Sequence, residues 1–234
     1  GAGIHGWERA GVAVLSRFMH HVCYDWDKYP QLAYIRHKVR VIVMPWENPW
    51  GFIHGNTRVN SRGVDINRNF PYYWEKYTVQ QPGYDNKGTS PASEKETQSI
   101  IDTLNEFSDA IAYIDFHNMN TRSDNLDFHF YLPLYESNNK DIPDEVYPYF
   151  ESYNYLQDAN EYPTAFNYAA KMNMHGSNPE FVLGSINSEY PYGSDEITVW
   201  LEYAGNIIIK YLELAKPKYT EKIEPFNLTL LRDW

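Results

Sequence analysis

Cysteine is almost absent: Cys23 stands alone in 234 residues. That excludes an internal disulfide and any thiolate cluster, so a bound metal would have to rest on histidine and carboxylates. The helical, mostly apolar setting of Cys23 predicts a packing role. Basic clusters are missing too. The chain carries 20 Lys and Arg against 31 Asp and Glu, a net charge of -11. Nucleic acid and anionic membranes are therefore poor partners, because phosphate binding depends on grouped cations. No apolar run is long enough for membrane insertion, and no charged stretch leads into a short apolar one as in a secretory signal. The compartment stays open.

What the chain does have is length and aromatic side chains. With 43% hydrophobic residues over 234 positions it can bury a substantial core, within the range of one α/β domain. Aromatics reach 17%, with 21 Tyr and 7 Trp, many beside Pro, Asn and Gly. That pattern fits a peptide- or sugar-binding surface and fits equally well loops pinned by amphipathic rings.

Periodicity predicts an amphipathic helix from Arg9 to Cys23, carried by Ala10, Ala13, Val14, Leu15, Phe18, Met19 and Val22. His20 and His21 near its end suit the helix dipole and read as structural. Val39 to Met44 is a β-branched run ending at Pro45, the pattern of a mostly buried strand. From Pro45 to Pro71 turn formers dominate, which predicts a long irregular connection, and long loops in compact domains are usually functional. Ser93 and Glu96 predict a capping box for a helix reaching about Phe107. Ala110 to Phe116 reads as a buried strand with His117 at its carboxyl end, Phe128 to Leu132 as a short strand, and Thr164 to Met174 as a helix. The segment from Pro133 to Tyr162 reads as a surface excursion. His129 and His175 have no partner at a recognisable spacing and read as structural. Ile197 to Glu202 alternates as a strand should, closing on a carboxylate, and Asn206 to Ala215 reads as a packing helix ended by Pro217.

Three of these residues converge on metal chemistry. His5 and Glu8 straddle Gly6 where a strand would give way to a helix, and His117 would emerge on the same rim. Two His and one Glu with an open fourth position is a recurring catalytic zinc set. By itself His-x-x-Glu is also an ordinary pair of polar neighbours on a helix. Asn67-Arg68 sets a neutral donor beside a guanidinium, suited to gripping a carboxylate, although an isolated Arg is more often a surface ion-pair partner. Glu202, at the end of an otherwise apolar strand, is either paired or held protonated for proton transfer.

In order along the chain stand His5/Glu8, Asn48-Pro49-Trp50-Gly51-Phe52, Arg58, Gly63-Val64-Asp65-Ile66-Asn67-Arg68-Asn69-Phe70, Asp115-Phe116-His117 and Glu202. This ordered set resembles the zinc metallocarboxypeptidase family of the carboxypeptidase A type, from residue 3 to about residue 203. The resemblance implies an α/β fold, a single domain built on a mixed, mostly parallel central sheet with helices on both faces. It implies one Zn2+ on His5, Glu8 and His117, with Glu202 as general base and acid and Arg58 stabilising the oxyanion. Asn67 and Arg68 would hold the free C-terminal carboxylate of a peptide substrate, and Ile186, in Gly184-Ser185-Ile186-Asn187, would line the specificity pocket. The implied reaction is hydrolysis of the C-terminal peptide bond, extended by analogy with bacterial and phage members to cell-wall peptides and to extracellular or virion-associated action.

Two departures from the family accompany it. The residues before Gly184 contain no substrate-capping Tyr, leaving Tyr190 or Tyr192 as replacements, and Ile186 and Glu189 argue for an apolar and a basic substrate side chain respectively. The family's sheet also implies strands ahead of His5, so residues 1–234 are expected to be a fragment of a longer chain lacking those N-terminal strands. Two other readings keep the same residues. One is a related zinc amidohydrolase of the succinylglutamate desuccinylase or aspartoacylase kind, which shares the ligands and the Asn-Arg pair. The other is a non-catalytic peptide- or glycan-binding structural module that kept the fold.

Overall fold

Helix α1, Arg9–Tyr24, forms where the sequence places apolar side chains at helical spacing, and Ala10, Val14, Leu15, Phe18 and Val22 are all buried along it. Its first turn is capped from a distant strand: the Asn118 Oδ1 accepts the Ala10 N–H at 2.9 Å. At the other end His21 reaches Asp25 at 3.0 Å, as a histidine near a helix C-terminus does. Cys23 is exposed rather than packed, because the buried face of α1 runs through Phe18 and Val22.

The computed structural model describes residues 1–54, 57–119, 128–132, 156–158, 161–182 and 194–214. After α1 come α2 (Pro30–Lys38), α3 (Pro49–His54) and α4 (Lys95–Glu106), then strands β1 (Ala112–Ile114), β2 (His117–Met119), β3 (Phe128–Leu132) and β4 (Leu156–Asp158). Helix α5 (Ala165–Lys171), strand β5 (His175–Val182) and helix α6 (Ser194–Leu214) follow. β5 is the axis of the sheet. It pairs in parallel with β1 and β2 and antiparallel with β3, which in turn pairs in parallel with β4. β1 and β2 keep one register against β5 through the interruption between them, Ala112 facing His175 and His117 facing Glu180. Side chains at facing positions of a parallel pair share a sheet face, so His117 and Glu180 project together.

Two cores lie against this sheet. On one face α1, α2 and α6 close over Phe116 and Phe181, whose rings stack at 5.9 Å. On the other, α4 and α5 bury Tyr113 with Ile4, Ile66, Phe70 and Met174. The fold is thus α/β, a mixed, mostly parallel sheet with helices on both faces. Among the described residues no helix is long and apolar enough to cross a membrane.

Helix α1 approaches the strand backbone closely: a Cβ on Gly11 would stand 2.3 Å from the Phe116 carbonyl oxygen. Backbone cannot yield as a side chain can. Gly11→Ala is therefore expected to cost about 1–3 kcal/mol of stability through overpacking, read as a lowered urea midpoint with an unchanged slope.

Several expected elements differ. Val39 to Met44 is extended, with Val39, Val41 and Val43 packed on the core and Ile42 exposed, but it forms no ladder among the described residues. A strand needs a neighbour, and the Ala2 N–H reaches this segment only at the Met44 carbonyl, 3.0 Å away. The run from Ile197 to Glu202 lies inside helix α6, not in a strand. Its short alternation mimics a strand, whereas Leu201, Ala204, Ile207 and Tyr211 continue a helical spacing that is buried throughout. The capping box is not made: α4 starts at Lys95, and the Ser93 hydroxyl donates to Glu94 instead (2.7 Å). Helices α2 and α3 and strands β4 and β5 have no counterpart among the sequence expectations; β4 falls within Pro133 to Tyr162, expected as a surface excursion, most of which lies outside the described residues.

Candidate active site

The turn between residues 4 and 8 is held from both sides. Ile4 is buried in the second core, and the Asn48 N–H donates to the Gly3 carbonyl at 3.1 Å. Asn48 also caps α3, its Oδ1 accepting the Gly51 N–H at 2.9 Å. Gly6 lies directly on this turn, where a Cβ would fall 2.1 Å from the Gly51 carbonyl carbon. The Asn48-Pro49-Trp50-Gly51 motif thus acts as a buttress for His5 and Glu8.

Glu8 stands between two imidazoles. The His5 Nδ1 lies 2.6 Å from Glu8 Oε1, and the His117 Nδ1 lies 2.7 Å from Glu8 Oε2. One ligand atom from each falls within 4.8 Å of the others, and all three residues are buried. Each imidazole is backed through its other nitrogen by a carboxylate: His5 Nε2 by Asp65 Oδ1 at 3.2 Å, and His117 Nε2 by Asp115 Oδ2 at 3.0 Å. Carboxylates in that position fix the ring and present Nδ1 as the lone-pair nitrogen. Two imidazole nitrogens and one carboxylate oxygen, each held by a second contact, fit zinc and its preferred donors.

The charges of the cluster show in its proton affinities. Burial alone would raise the Glu8 carboxyl, but His5 and His117 outweigh it and hold it below the usual range. Burial alone would lower the His117 imidazole, but Asp115 and Glu8 raise it instead. Asp65 is held well below the ordinary carboxylate range against its burial, chiefly by the Arg58 guanidinium and by His5.

Behind the cluster Glu47 is buried and receives the Tyr113 hydroxyl at 2.7 Å. Burial, with Asp115 nearby, pushes its carboxyl up to about 8. A carboxyl raised above its unfolded value adds stability that is full below that value and is lost as pH rises through the folded one. Between about pH 4.5 and 8 the Glu47 contribution should therefore fall by a few kcal/mol. Glu47→Gln is expected to flatten this part of the dependence of Tm on pH; an unchanged slope would remove Glu47 as its source.

Arg58 reaches the cluster from the other side. Its Nε donates to Asp65 Oδ2 at 2.8 Å, its Nη1 lies 4.0 Å from Glu8 Oε1, and the Tyr84 ring covers its guanidinium at 4.8 Å. Tyr84 in turn meets Trp7 edge-on. Arg68 lies farther along the same wall, over the Tyr162 ring at 4.9 Å, its Nη1 donating to the Asn67 carbonyl and its Nε to the Tyr77 hydroxyl. Between the two guanidinium groups stands Asp85, whose Oδ1 is 3.3 Å from Arg68 Nε and 3.9 Å from Arg58 Nη2.

The structure brings His5, Glu8 and His117 together with Arg58, 4.0 Å from Glu8, and Arg68 adjoins them through Asp85. Asn67 is beside them, but its Oδ1 accepts the Ala165 N–H at 2.9 Å, so its carbonyl end pins the start of α5. Ile186, Glu189, Tyr190 and Tyr192 lie outside the described residues. Glu202 sits on α6, where burial raises its carboxyl, and among the described residues no contact joins it to the cluster.

The carboxylate that does join the cluster is Glu180, which has no place among the sequence expectations. It faces His117 across the β2–β5 ladder, with Oε1 4.0 Å from His117 Nδ1. Burial and the nearby Glu8 carboxylate push it up to about 7, against the pull of His117, His5 and Arg58. A signal for it exists in Asn178-Pro179-Glu180-Phe181, a lone carboxylate in an otherwise uncharged run shortly before Gly184-Ser185. Asp65 and Asp115 sit inside recognisable motifs, yet their backing of the imidazoles shows only in three dimensions.

A model of the zinc carboxypeptidase family matches residues 1–211. Mouse carboxypeptidase M is 31% identical over 90 residues, which are 35% of this chain and 20% of that protein; the chain thus spans a small part of this relative. Among solved structures, thrombin activatable fibrinolysis inhibitor superposes with a TM-score of 0.69 at 16% identity, covering 93% of this chain and 61% of that one. Murein-tripeptide amidase MpaA from Escherichia coli O157 superposes with a TM-score of 0.52 at 20% identity, covering 88% and 78%.

Proposed function

Because the chain belongs to the zinc carboxypeptidase family, we propose that it hydrolyses the C-terminal peptide bond of peptides, with one zinc ion held by His5, Glu8 and His117 and with Glu180 as general base and acid. When bound, zinc supplies Lewis acidity, acidifying water and polarising a carbonyl. Glu180 takes the proton of the attacking water and returns it to the departing amine. Arg58, oriented by Asp65, donates toward the carbonyl oxygen as negative charge develops there. Arg68 holds the terminal carboxylate of the substrate, with Asn67 fixing the turn that carries it.

The observation that carries this reading is the approach of Glu180 to His117, 4.0 Å from a mostly buried carboxylate to a candidate ligand nitrogen. It favours Glu180 over Glu202 for the proton transfer. A raised carboxyl is what a base working near neutral pH requires. The substrate class to test first is a cell-wall peptide, suggested by the likeness to the murein-tripeptide amidase.

The test joins elemental analysis to hydrolysis of peptides with free and with amidated C-termini. About one zinc per chain and cleavage confined to free C-termini is the expected result. Equal cleavage of amidated peptides would sink the carboxylate grip. Arg68→Gln is expected to raise KM by roughly 10–100-fold on free C-termini, as loss of a charge-assisted grip does; an unchanged KM would assign the carboxylate to another group.

A further inference from the structure

The wall proposed to receive the substrate's carboxylate already contains one. Asp85 Oδ1 lies between Arg68 Nε, at 3.3 Å, and Arg58 Nη2, at 3.9 Å. The same oxygen is buried and accepts no hydrogen bond. Its place is built into the fold. The Asp85 N–H donates to the Gln81 carbonyl at 2.9 Å, the next residue's carbonyl accepts the Asp65 N–H at 2.8 Å, and the Asn86 side chain donates to the Gly63 carbonyl at 2.8 Å. The loop carrying Asp85 is thereby fastened to the segment that carries Asp65.

The charges on this wall then balance. Arg58 is matched by Asp65 at 2.8 Å and Arg68 by Asp85. A monoanionic terminal carboxylate entering between the guanidinium groups meets a neutral set, not a doubly positive one. It must share the guanidinium groups with Asp85, and any second negative charge on the same terminal residue adds repulsion in a mostly buried site, where charges are poorly screened.

Resting on the carboxypeptidase reading, the geometry points to Asp85 as a specificity-determining residue that competes with the substrate's carboxylate for Arg68 and Arg58 and so excludes terminal residues bearing a second anionic group. The site selects peptides ending in neutral or cationic residues and rejects those ending in Asp or Glu. Like-charge juxtaposition is a recognised means of rejecting the wrong partner.

The sign of one substitution separates this role from a structural one. If Asp85 merely positions Arg68, its loss weakens every carboxylate ligand. If it competes, its loss tightens them, the dianion most. The experiment is calorimetric titration of the zinc-loaded protein and its Asp85→Asn variant with N-acetyl-leucine, N-acetyl-lysine and N-acetyl-glutamate. The wild type is expected to bind the glutamate derivative about tenfold more weakly than the other two. Asp85→Asn should tighten all three and reduce that ratio to about twofold or less. Weaker binding of all three by the variant, an unchanged ratio, or no binding of any probe to either protein would each overturn the inference. Peptide hydrolysis measured alongside keeps the two claims apart. The expected binding pattern without cleavage would sink the peptidase reading alone, and cleavage with an unchanged ratio would sink the role of Asp85 alone.

Discussion

Glu180→Gln is expected to lower kcat by roughly 10²–10⁴-fold, the range for losing a general base, with zinc content unchanged. The amide keeps the size of the side chain and its position opposite His117 on β5, so only the ability to take a proton is lost. Glu202→Gln, on α6, where burial is the cause of its raised carboxyl, should leave kcat as it is. The two variants measured side by side distinguish the carboxylates directly; a collapse of kcat in the Glu202 variant with a normal Glu180 variant would reverse the assignment. The pH dependence gives a second readout. A base must be ionised, so kcat/KM should rise with pH as Glu180 loses its proton. Burial and Glu8 hold that carboxyl at about 7, and an added dication favours the ionised form. The acid limb is therefore expected below pH 7, and it should be missing from the residual activity of Glu180→Gln.

The proposal of Glu180 in place of Glu202 rests on secondary structure that short-range spacing does not resolve. Periodicity over a window as short as Ile197 to Glu202 cannot separate a strand from the first turns of an apolar helix, since both bury β-branched residues. The reverse error hid β5. His175 to Val182 contains Gly176, Asn178 and Pro179, which β-propensity disfavours, but pairing on both edges with β1, β2 and β3 overrides propensity there. What was legible was whatever depends on short-range spacing or on one side chain's chemistry: α1 from its apolar stripe, His5 and Glu8 from one turn, and His117 just beyond a buried run, although it opens β2 and does not end the strand before it. Arg58 and Arg68 were legible through their motif. Contacts between residues far apart in the chain, such as Asp65 behind His5 or Asp85 between the arginines, leave no periodic trace.

Removing one of the proposed metal ligands should have the largest effect. Glu8→Gln is expected to lose zinc and at least about 10³-fold in activity, because two imidazoles alone leave the metal without its anionic donor. Gln cannot replace the carboxylate that both Nδ1 atoms meet at 2.6 and 2.7 Å. Zinc content by elemental analysis separates this outcome from unfolding, and so does a thermal melt. In the wild type, zinc at 1,000 times its Kd should add about 4 kcal/mol of stability by mass action; the variant should gain nothing from the same concentration. Asp115→Asn provides the graded case. Asp115 does not belong to the three-residue ligand set but backs His117 Nε2 at 3.0 Å, so its loss should weaken zinc by about 10–100-fold while saturating metal restores most of the activity. Full zinc occupancy in Glu8→Gln would disprove the ligand set. Normal affinity in Asp115→Asn would leave His5, Glu8 and His117 standing but show that the orientation of His117 comes from packing within the sheet rather than from its carboxylate partner.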